Sequence, residues 1–270
     1  MLNKPVYRLY NTTYFSKVNQ TDNGVTKFMK PFEPARHFPR PLTTVDVVIF
    51  SVVGERLQVL LVQRPDDSNE PFPNDWALPG GFVDVKEDRT LEACAKRKLL
   101  EKTGVRSPYL EQLGSWGDAM RDPRGWSATH AWFALLPLNS IRLRKGGNAQ
   151  ELKWFPVDEL RALGNIAFDH RVILAAAIER LRSKVEYTSL PAFLLPEPFT
   201  LPQLQHSYEV ILGRTLDKSG FRTRALAAEF LVETGYMDVG APRQAMGYKL
   251  KDRKEPTFFP RTFAARSQSE

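Results

Sequence analysis

Three stretches of this 270-residue chain carry residues whose types and spacing could do chemistry. In the first, Gly80-Gly81 is followed by Glu87 and then by Arg97-Lys98-Leu99-Leu100-Glu101-Lys102. If residues 90–103 are helical, Lys98, Glu101 and Lys102 stand at i, i+3 and i+4 and share one face. Two ammonium groups and one carboxylate on that face repel a divalent cation. In the second, Arg121-Asp122-Pro123-Arg124-Gly125-Trp126 sets two guanidinium groups in a Pro-Gly loop, the kind of segment where binding groups concentrate. Arg64 adds charge, and Trp76, Phe82, Trp116 and Trp126 offer rings, so the set suits a ligand with both phosphate and a flat base. Trp132 and Trp154 read as core residues.

The third stretch lies near the C-terminus. Lys218, Arg222 and Arg224 fall on one short helical segment, and Arg243 falls on a Gly-Ala-Pro-Arg turn beyond it. Cations so placed bind phosphates or read guanine. Elsewhere the sequence offers little chemistry. Cys94 sits between two alanines in mid-helix and reads as a buried small residue. His37, His130, His170 and His206 have no metal-ligand spacing.

The elements that must position these residues follow from periodicity. β-branched runs at 45–53 and 58–63 predict two strands around a short turn, and Trp76–Val83 a short strand ending in the Gly-Gly bend. Thr90 reads as the N-cap of a helix that Gly104 terminates after Thr103. Strands are expected at 109–116, 127–136 and 152–155, then a helix at 169–184 with Val172, Leu174, Ala175, Ile178 and Leu181 on its apolar face. The Pro-interrupted run 186–198 predicts a boundary. After it Thr200-Leu201-Pro202-Gln203 is a capping-box helix start ending at Gly213, and Asp217 caps a second helix expected to reach Glu233 and close at Gly235. A hairpin at 236–239 and 245–250 would complete a helix-turn-helix with a wing.

Composition sets limits on the rest. With 42% hydrophobic and 11% aromatic residues the chain can bury a large core, and no apolar run is long enough to cross a bilayer. One cysteine and a polar N-terminus without an apolar stretch predict a cytoplasmic protein with no membrane partner. The net charge of +7 is concentrated in residues 1–40, with seven Lys/Arg against Asp22 and Glu33. A basic balance permits nucleic-acid binding without requiring it.

The stretch Trp76–Val105 resembles the Nudix box. Gly81, five residues and Glu87 match its first part; nine residues rather than seven then precede Arg97-Lys98-Leu99-Leu100-Glu101-Lys102-Thr103-Gly104-Val105. Further runs, Pro108–Leu113, Arg121–Trp126, Asp169-His170-Arg171, Leu181–Thr188 and Ile211–Lys218, are similar to the Nudix-related transcriptional regulators of NAD metabolism, the NrtR proteins. The likeness extends over about residues 43–250.

The resemblance implies a Nudix α/β/α sandwich (α+β or α/β class) at 41–186 and a winged helix at 187–251, flanked by a basic arm at 1–40 and a charged tail at 252–270. It also implies an ADP-ribose-like effector, double-stranded operator DNA, a homodimer, and repression of NAD-synthesis or salvage genes. Nudix hydrolases place carboxylates where Lys98, Glu101 and Lys102 stand here, which changes the face from −3 to +1. No cofactor is therefore expected, and Mg²⁺ or Mn²⁺ only if the chain is hydrolytic. The alternative reading is an active ADP-ribose or nucleoside-diphosphate pyrophosphatase with an accessory winged helix. It retains Glu101 and Glu87 as metal ligands and draws on Asp84, Asp88 or Glu92 for the rest. The expected ligand contacts are Arg64, Trp76, Gly80, Gly81, Phe82, Lys98, Arg121, Arg124 and Trp126. The expected DNA contacts are Lys218, Arg222, Arg224 and Arg243.

Overall fold

The computed structural model describes residues 40–106, 109–144, 149–238, 240 and 244–260. The arm expected at 1–40 lies, Arg40 apart, outside them. Strands β1 (Leu42–Val53) and β2 (Arg56–Gln63) form an antiparallel hairpin. The single strand expected at 76–83 is two: β3 (Trp76–Ala77) pairs with β2, and β4 (Gly80–Phe82) pairs with β1. Leu78-Pro79 crosses between them, and the Leu78 N–H donates to His170 Nδ1 at 2.9 Å instead of to a strand. β5 (Tyr109–Asp118), β6 (Ser127–Leu135) and β7 (Glu151–Pro156) complete a seven-stranded sheet ordered β3-β2-β1-β6-β5, with β4 on β1 and β7 on β2. β1 and β6 run parallel.

The strand period of two divides the core between the two faces of this sheet. Val48 and Phe50 of β1 with Ala131, Phe133 and Leu135 of β6 point to one face. Val45, Val47 and Ile49 with Trp132 and Ala134 point to the other, where Cys94, Ala95 and Leu99 cover them. Those three belong to helix α1 (Leu91–Thr103), whose Thr90 side chain accepts from the Ala93 N–H and whose Gly104 ends it at φ 70°. Both ends match the sequence reading.

The opposite face is covered by α2 (His170–Val185). Its buried side is His170, Ile173, Leu174, Ala177, Leu181 and Val185, not the stripe expected through Val172 and Ala175; Val172 is exposed. The mistaken stripe gave His170 no place in an apolar face, yet that ring is buried by its bond to Leu78. The run 186–198 is no loose linker either. It folds into a 3-10 turn, Leu190–Leu194, with all five residues buried.

Beyond it, α3 (Leu201–Leu212) begins with the full Thr200–Gln203 capping box and ends at Gly213. α4 (Lys218–Ala227), capped by Asp217, is shorter than expected. Glu229 takes φ 52°, and the chain turns so that Phe230 is buried and stacks on Phe259 at 5.9 Å. Residues expected to extend the helix form instead β8 (Leu231–Met237), paired with β9 (Ala245–Leu250). Gly235 sits at a bulge inside β8 and not at a helix end. Leu201, Leu204, Tyr208, Ile211, Phe230 and Leu250 share one apolar cluster with Phe50 and Phe133 of the sheet, so the C-terminal helices pack directly on the first domain. The described part of the expected tail is also tied down: the N–H of Phe259 donates to the Tyr187 carbonyl, and the Thr257 carbonyl accepts from Ser189. No described helix is long and apolar enough to cross a membrane.

Candidate functional site

A cavity of about 320 Å³ opens where β1, β2 and β4 meet the Arg121–Arg124 loop, α1 and the start of α2. Its floor is Thr44, Asp46, Val62 and Leu78, with the Gly80-Gly81 backbone along one side. A Cβ on Gly80 would overlap the Asp46 carboxylate and lie 2.5 Å from the Val45 carbonyl oxygen, so only glycine allows this close crossing. Gly81 has φ 145°, and the Lys98 ammonium would be 3.2 Å from a Cβ there. Lys98 thus packs behind the Gly-Gly bend, beside the cavity but not on its lining.

Four cationic side chains reach the wall: Arg64, Lys102, Arg121 and Arg124. Arg64 donates through Nε to the Pro71 carbonyl and pairs with Glu70, and its guanidinium lies 5.0 Å from the Phe168 ring. Arg124 forms a fork with Asp122, reaches toward Glu70 at 3.5 Å, and covers Phe82 at 5.1 Å. Arg121 is nearly inaccessible and clamps Asp169 with Nε at 3.0 Å and Nη2 at 2.7 Å, while Nη1 donates to Ser127. Burial pushes the Lys102 ammonium below its ordinary pKa, and neighbouring Lys98 adds to this against the opposing pull of Glu101. Burial likewise lowers Arg64. Both are the effects an incoming anion would reverse.

The acidic groups at the cavity are already committed. Asp46 is buried; burial alone would raise its carboxyl, but His170, Thr129 and Arg121 outweigh this and hold it low. Thr129 Oγ1 donates to Asp46 at 2.7 Å. Because His170 Nδ1 accepts from Leu78, the ring proton of the neutral imidazole sits on Nε2, 3.4 Å from Asp46 Oδ2.

The residues do not fit a hydrolytic metal. Glu101 has one oxygen on Arg97 at 2.9 Å and the other 3.6 Å from Lys98. Asp88 is buried under a two-pronged Arg97 contact, 2.9 Å from Nε and 2.5 Å from Nη2. The Arg97 bond holds Asp88 below the usual carboxylate range, and Asp88 in turn raises Arg97. Glu87 is exposed, and its N–H donates to the Asp84 carbonyl in the turn that Asp88 closes. Among the described residues no three His, Cys, Asp or Glu side chains come together as a metal site. The two-residue insertion therefore supplies Arg97 with a structural partner rather than a cation with ligands. Cys94 is buried in the same corner, its thiol pushed up to about 12 by burial and then by Asp88.

Of the residues expected at a ligand site, the structure gathers Arg64, Gly80, Gly81, Phe82, Arg121 and Arg124 around one cavity. It places the other three off that lining: the Lys98 ammonium lies behind the Gly-Gly bend. Trp76 packs edge-on against Phe155 at 4.7 Å, and Trp126 is half-exposed with its ring over Gly117. Lys102, Phe168 and His170 line the cavity and were not read as ligand residues. Phe168 takes φ 55°, a left-handed conformation rare for a bulky residue. Its ring meets Phe72 edge-on at 4.7 Å. The signal for Lys102 was its helical spacing from Lys98; nothing local marked Phe168.

Comparison with known proteins agrees with this geometry. Residues 42–177 match the model of the NUDIX domain, and residues 191–250 match that of the NrtR DNA-binding winged helix domain. The chain is 45% identical over 224 residues to the ADPR responsive transcriptional repressor NtrR of Acinetobacter baylyi, covering 83% of this chain and 88% of that protein. It belongs to the NrtR family. The fold is similar to the crystal structure of Shewanella oneidensis NrtR, with TM-score 0.73 and 42% identity over 82% of this chain and 99% of that one. The same protein complexed with a 27mer DNA gives TM-score 0.69 and 42% identity, covering 77% and 93%.

In the NrtR winged helix, α4 turns Phe221, Ala225 and Ala228 inward and leaves Lys218, Ser219, Arg222 and Thr223 exposed. Lys218 and Arg222, four apart, share a face. Arg224, two residues beyond Arg222, lies near the opposite side and lines an apolar cavity of about 460 Å³ with Asp217, Phe221 and Phe259. Arg243, expected at the wing tip, lies outside the described residues.

Proposed function

We propose that this chain is a cytoplasmic transcriptional repressor of NAD-metabolism genes that binds operator DNA as a homodimer and releases it when ADP-ribose or a close relative enters the Nudix cavity. The observation that carries this reading is the charge inversion at the old catalytic face. Lys98 and Lys102 stand where a hydrolase needs carboxylates, while the cavity beside them stays open and lined with cations. Such a site can hold a diphosphate without activating water upon it. Lys102, Arg64, Arg124 and Arg121 are its phosphate partners, Arg121 the most deeply buried of the three arginines, and Phe82 and Phe168 are its base-facing rings. Gly80 and Gly81 admit the ligand close to the backbone.

On the DNA side, Lys218 and Arg222 face the major groove from α4, and Arg224 and Arg243 contact the flanking backbone. A single winged helix makes few contacts, so two copies on half-sites about one or two helical turns apart supply the affinity. The effector works because the two domains share one core: a change at the cavity alters the surface on which α3 and α4 rest. No cofactor is needed.

The test is the fluorescence anisotropy of a labelled fragment from the chain's own promoter region, titrated with protein in Mg²⁺ buffer. ADP-ribose should raise the Kd for DNA about tenfold or more, equal to about 1.4 kcal/mol of coupling. Chromatography of the same samples should recover the ADP-ribose intact. Turnover on the order of 1–10³ s⁻¹ would instead make the chain an enzyme.

A further inference from the structure

The described chain has four α-helices, and each begins at a residue able to cap it: Thr90, Asp169, Thr200 and Asp217. Three of these side chains accept from the backbone of their own helix. Asp169 does not; its side chain makes no cap hydrogen bond. Both of its oxygens go to Arg121 instead. Aspartate ranks among the best capping residues, and its charge also favours the positive end of the helix. It is held off that end by an arginine that lines the effector cavity.

The surroundings make this an exchangeable arrangement. Arg121 has all three guanidinium nitrogens engaged, two by Asp169 and one by Ser127, so an anion that takes this cation must displace a partner. The residue before Asp169 is Phe168, whose φ of 55° is strained for an aromatic side chain and whose ring forms part of the cavity wall. Strain of this kind persists where the surroundings impose it and relaxes when they change. At its far end α2 touches the DNA-binding domain: Arg182 Nε donates to the Ile211 carbonyl of α3, and the Thr188 carbonyl just past α2 accepts from Tyr208 of α3. Lys184 and Arg180 meanwhile anchor α2 to Glu111 of the sheet.

We propose that Asp169 is a latch with two seats, Arg121 when the cavity is empty and the Arg171 amide in the first turn of α2 when a nucleotide diphosphate occupies the cavity. The phosphate draws the Arg121 guanidinium, Asp169 turns to cap α2, Phe168 relaxes, and α2 shifts against α3. No covalent bond changes. The latch rests on the reading of the cavity as a nucleotide effector site, and it names the residue through which occupancy reaches the DNA-binding domain.

Asp169→Asn separates the two seats, because asparagine caps as well as aspartate but does not compete with phosphate for a cation. Measured with ADP-ribose and promoter DNA, this variant should bind ADP-ribose several-fold more tightly than the native chain. It should bind DNA more weakly before nucleotide is added. The ratio of DNA Kd values with and without ADP-ribose should fall toward one. A ratio equal to that of the native chain overturns the latch while leaving the effector reading intact. A native chain whose DNA affinity ignores ADP-ribose overturns both. Hydrogen exchange on the native chain needs no variant: ADP-ribose should slow exchange at the Arg171 amide several-fold, and an unchanged rate there overturns the latch.

Discussion

Helices α1 and α2 both border the cavity, α1 through Lys102 in its last turn and α2 through His170 in its first, and their N-terminal ends are capped in opposite ways. At α1, Thr90 caps the first turn, and Arg97 ties Asp88 and Glu101 into a closed ion-pair cluster over what would be a catalytic face. Every group there is satisfied within its own helix and the preceding loop. At α2, the Asp169 side chain forgoes the cap and bonds Arg121, forty-eight residues away in sequence. The first end is self-contained and stiff. The second depends on a partner that a ligand can take. A Nudix fold with Lys98 and Lys102 on that face can still transmit occupancy, provided one helix keeps its capping carboxylate on a partner that a ligand can take.

That contrast makes the mutational effects unequal. The largest should come from Asp169→Ala, which strands the buried Arg121 guanidinium. It should cost about 3 kcal/mol of unfolding free energy, read as a lower midpoint in urea. A loss below about 1 kcal/mol would mean that solvent already reaches Arg121 and that the pair constrains little.

Asp88→Asn should cost about 2 kcal/mol, less than Asp169→Ala because Arg97 remains partly exposed and keeps Glu101. The sign with pH follows from the depressed Asp88 carboxyl: a folded-state pKa below the unfolded one contributes stability above about pH 4 that is lost only under stronger acid. The native chain and Asp88→Asn should therefore differ by a constant amount from pH 5 to 8 and begin to converge only below about pH 4. A gap that closes between pH 5 and 7 would contradict the assigned pair.

The smallest effect should come from Thr90→Ala, about 1 kcal/mol for a lost cap, with the ADP-ribose response of DNA binding unchanged. If this variant altered the response, α1 would not be the inert member of the pair.

Much of this contrast was legible in the sequence, but unevenly. Thr90, Gly104, Thr200 and Gly213 mark their helix ends because the cap chemistry is local, settled by neighbours three or four residues away. The changed metal face was readable through the Nudix-box resemblance, which sets residues 98, 101 and 102 against the family's carboxylates; spacing adds only that the three share a helix face. The end of α4 was not readable. No glycine marks it, Glu229 turns at φ 52°, and burial of Phe230 against Phe259 overrides a sequence that could continue as helix. The stripe on α2 was misplaced by one face because His170 belongs to the buried side through its bond to Leu78. Phe168 and the Arg121–Asp169 pair come to the cavity only through tertiary contacts, which no window of sequence contains. Trp76 and Trp126 erred the other way: their ring chemistry suited a base, while strand pairing turned them aside.

The account rests on two sites coupled within one chain, and coupling of this kind is reciprocal. Calorimetric titration of ADP-ribose into the protein alone and into its saturated complex with promoter DNA measures it directly. The factor by which DNA weakens ADP-ribose binding should equal the factor by which ADP-ribose weakens DNA binding, about tenfold or more in each direction. Equal ADP-ribose affinities with and without DNA would contradict it.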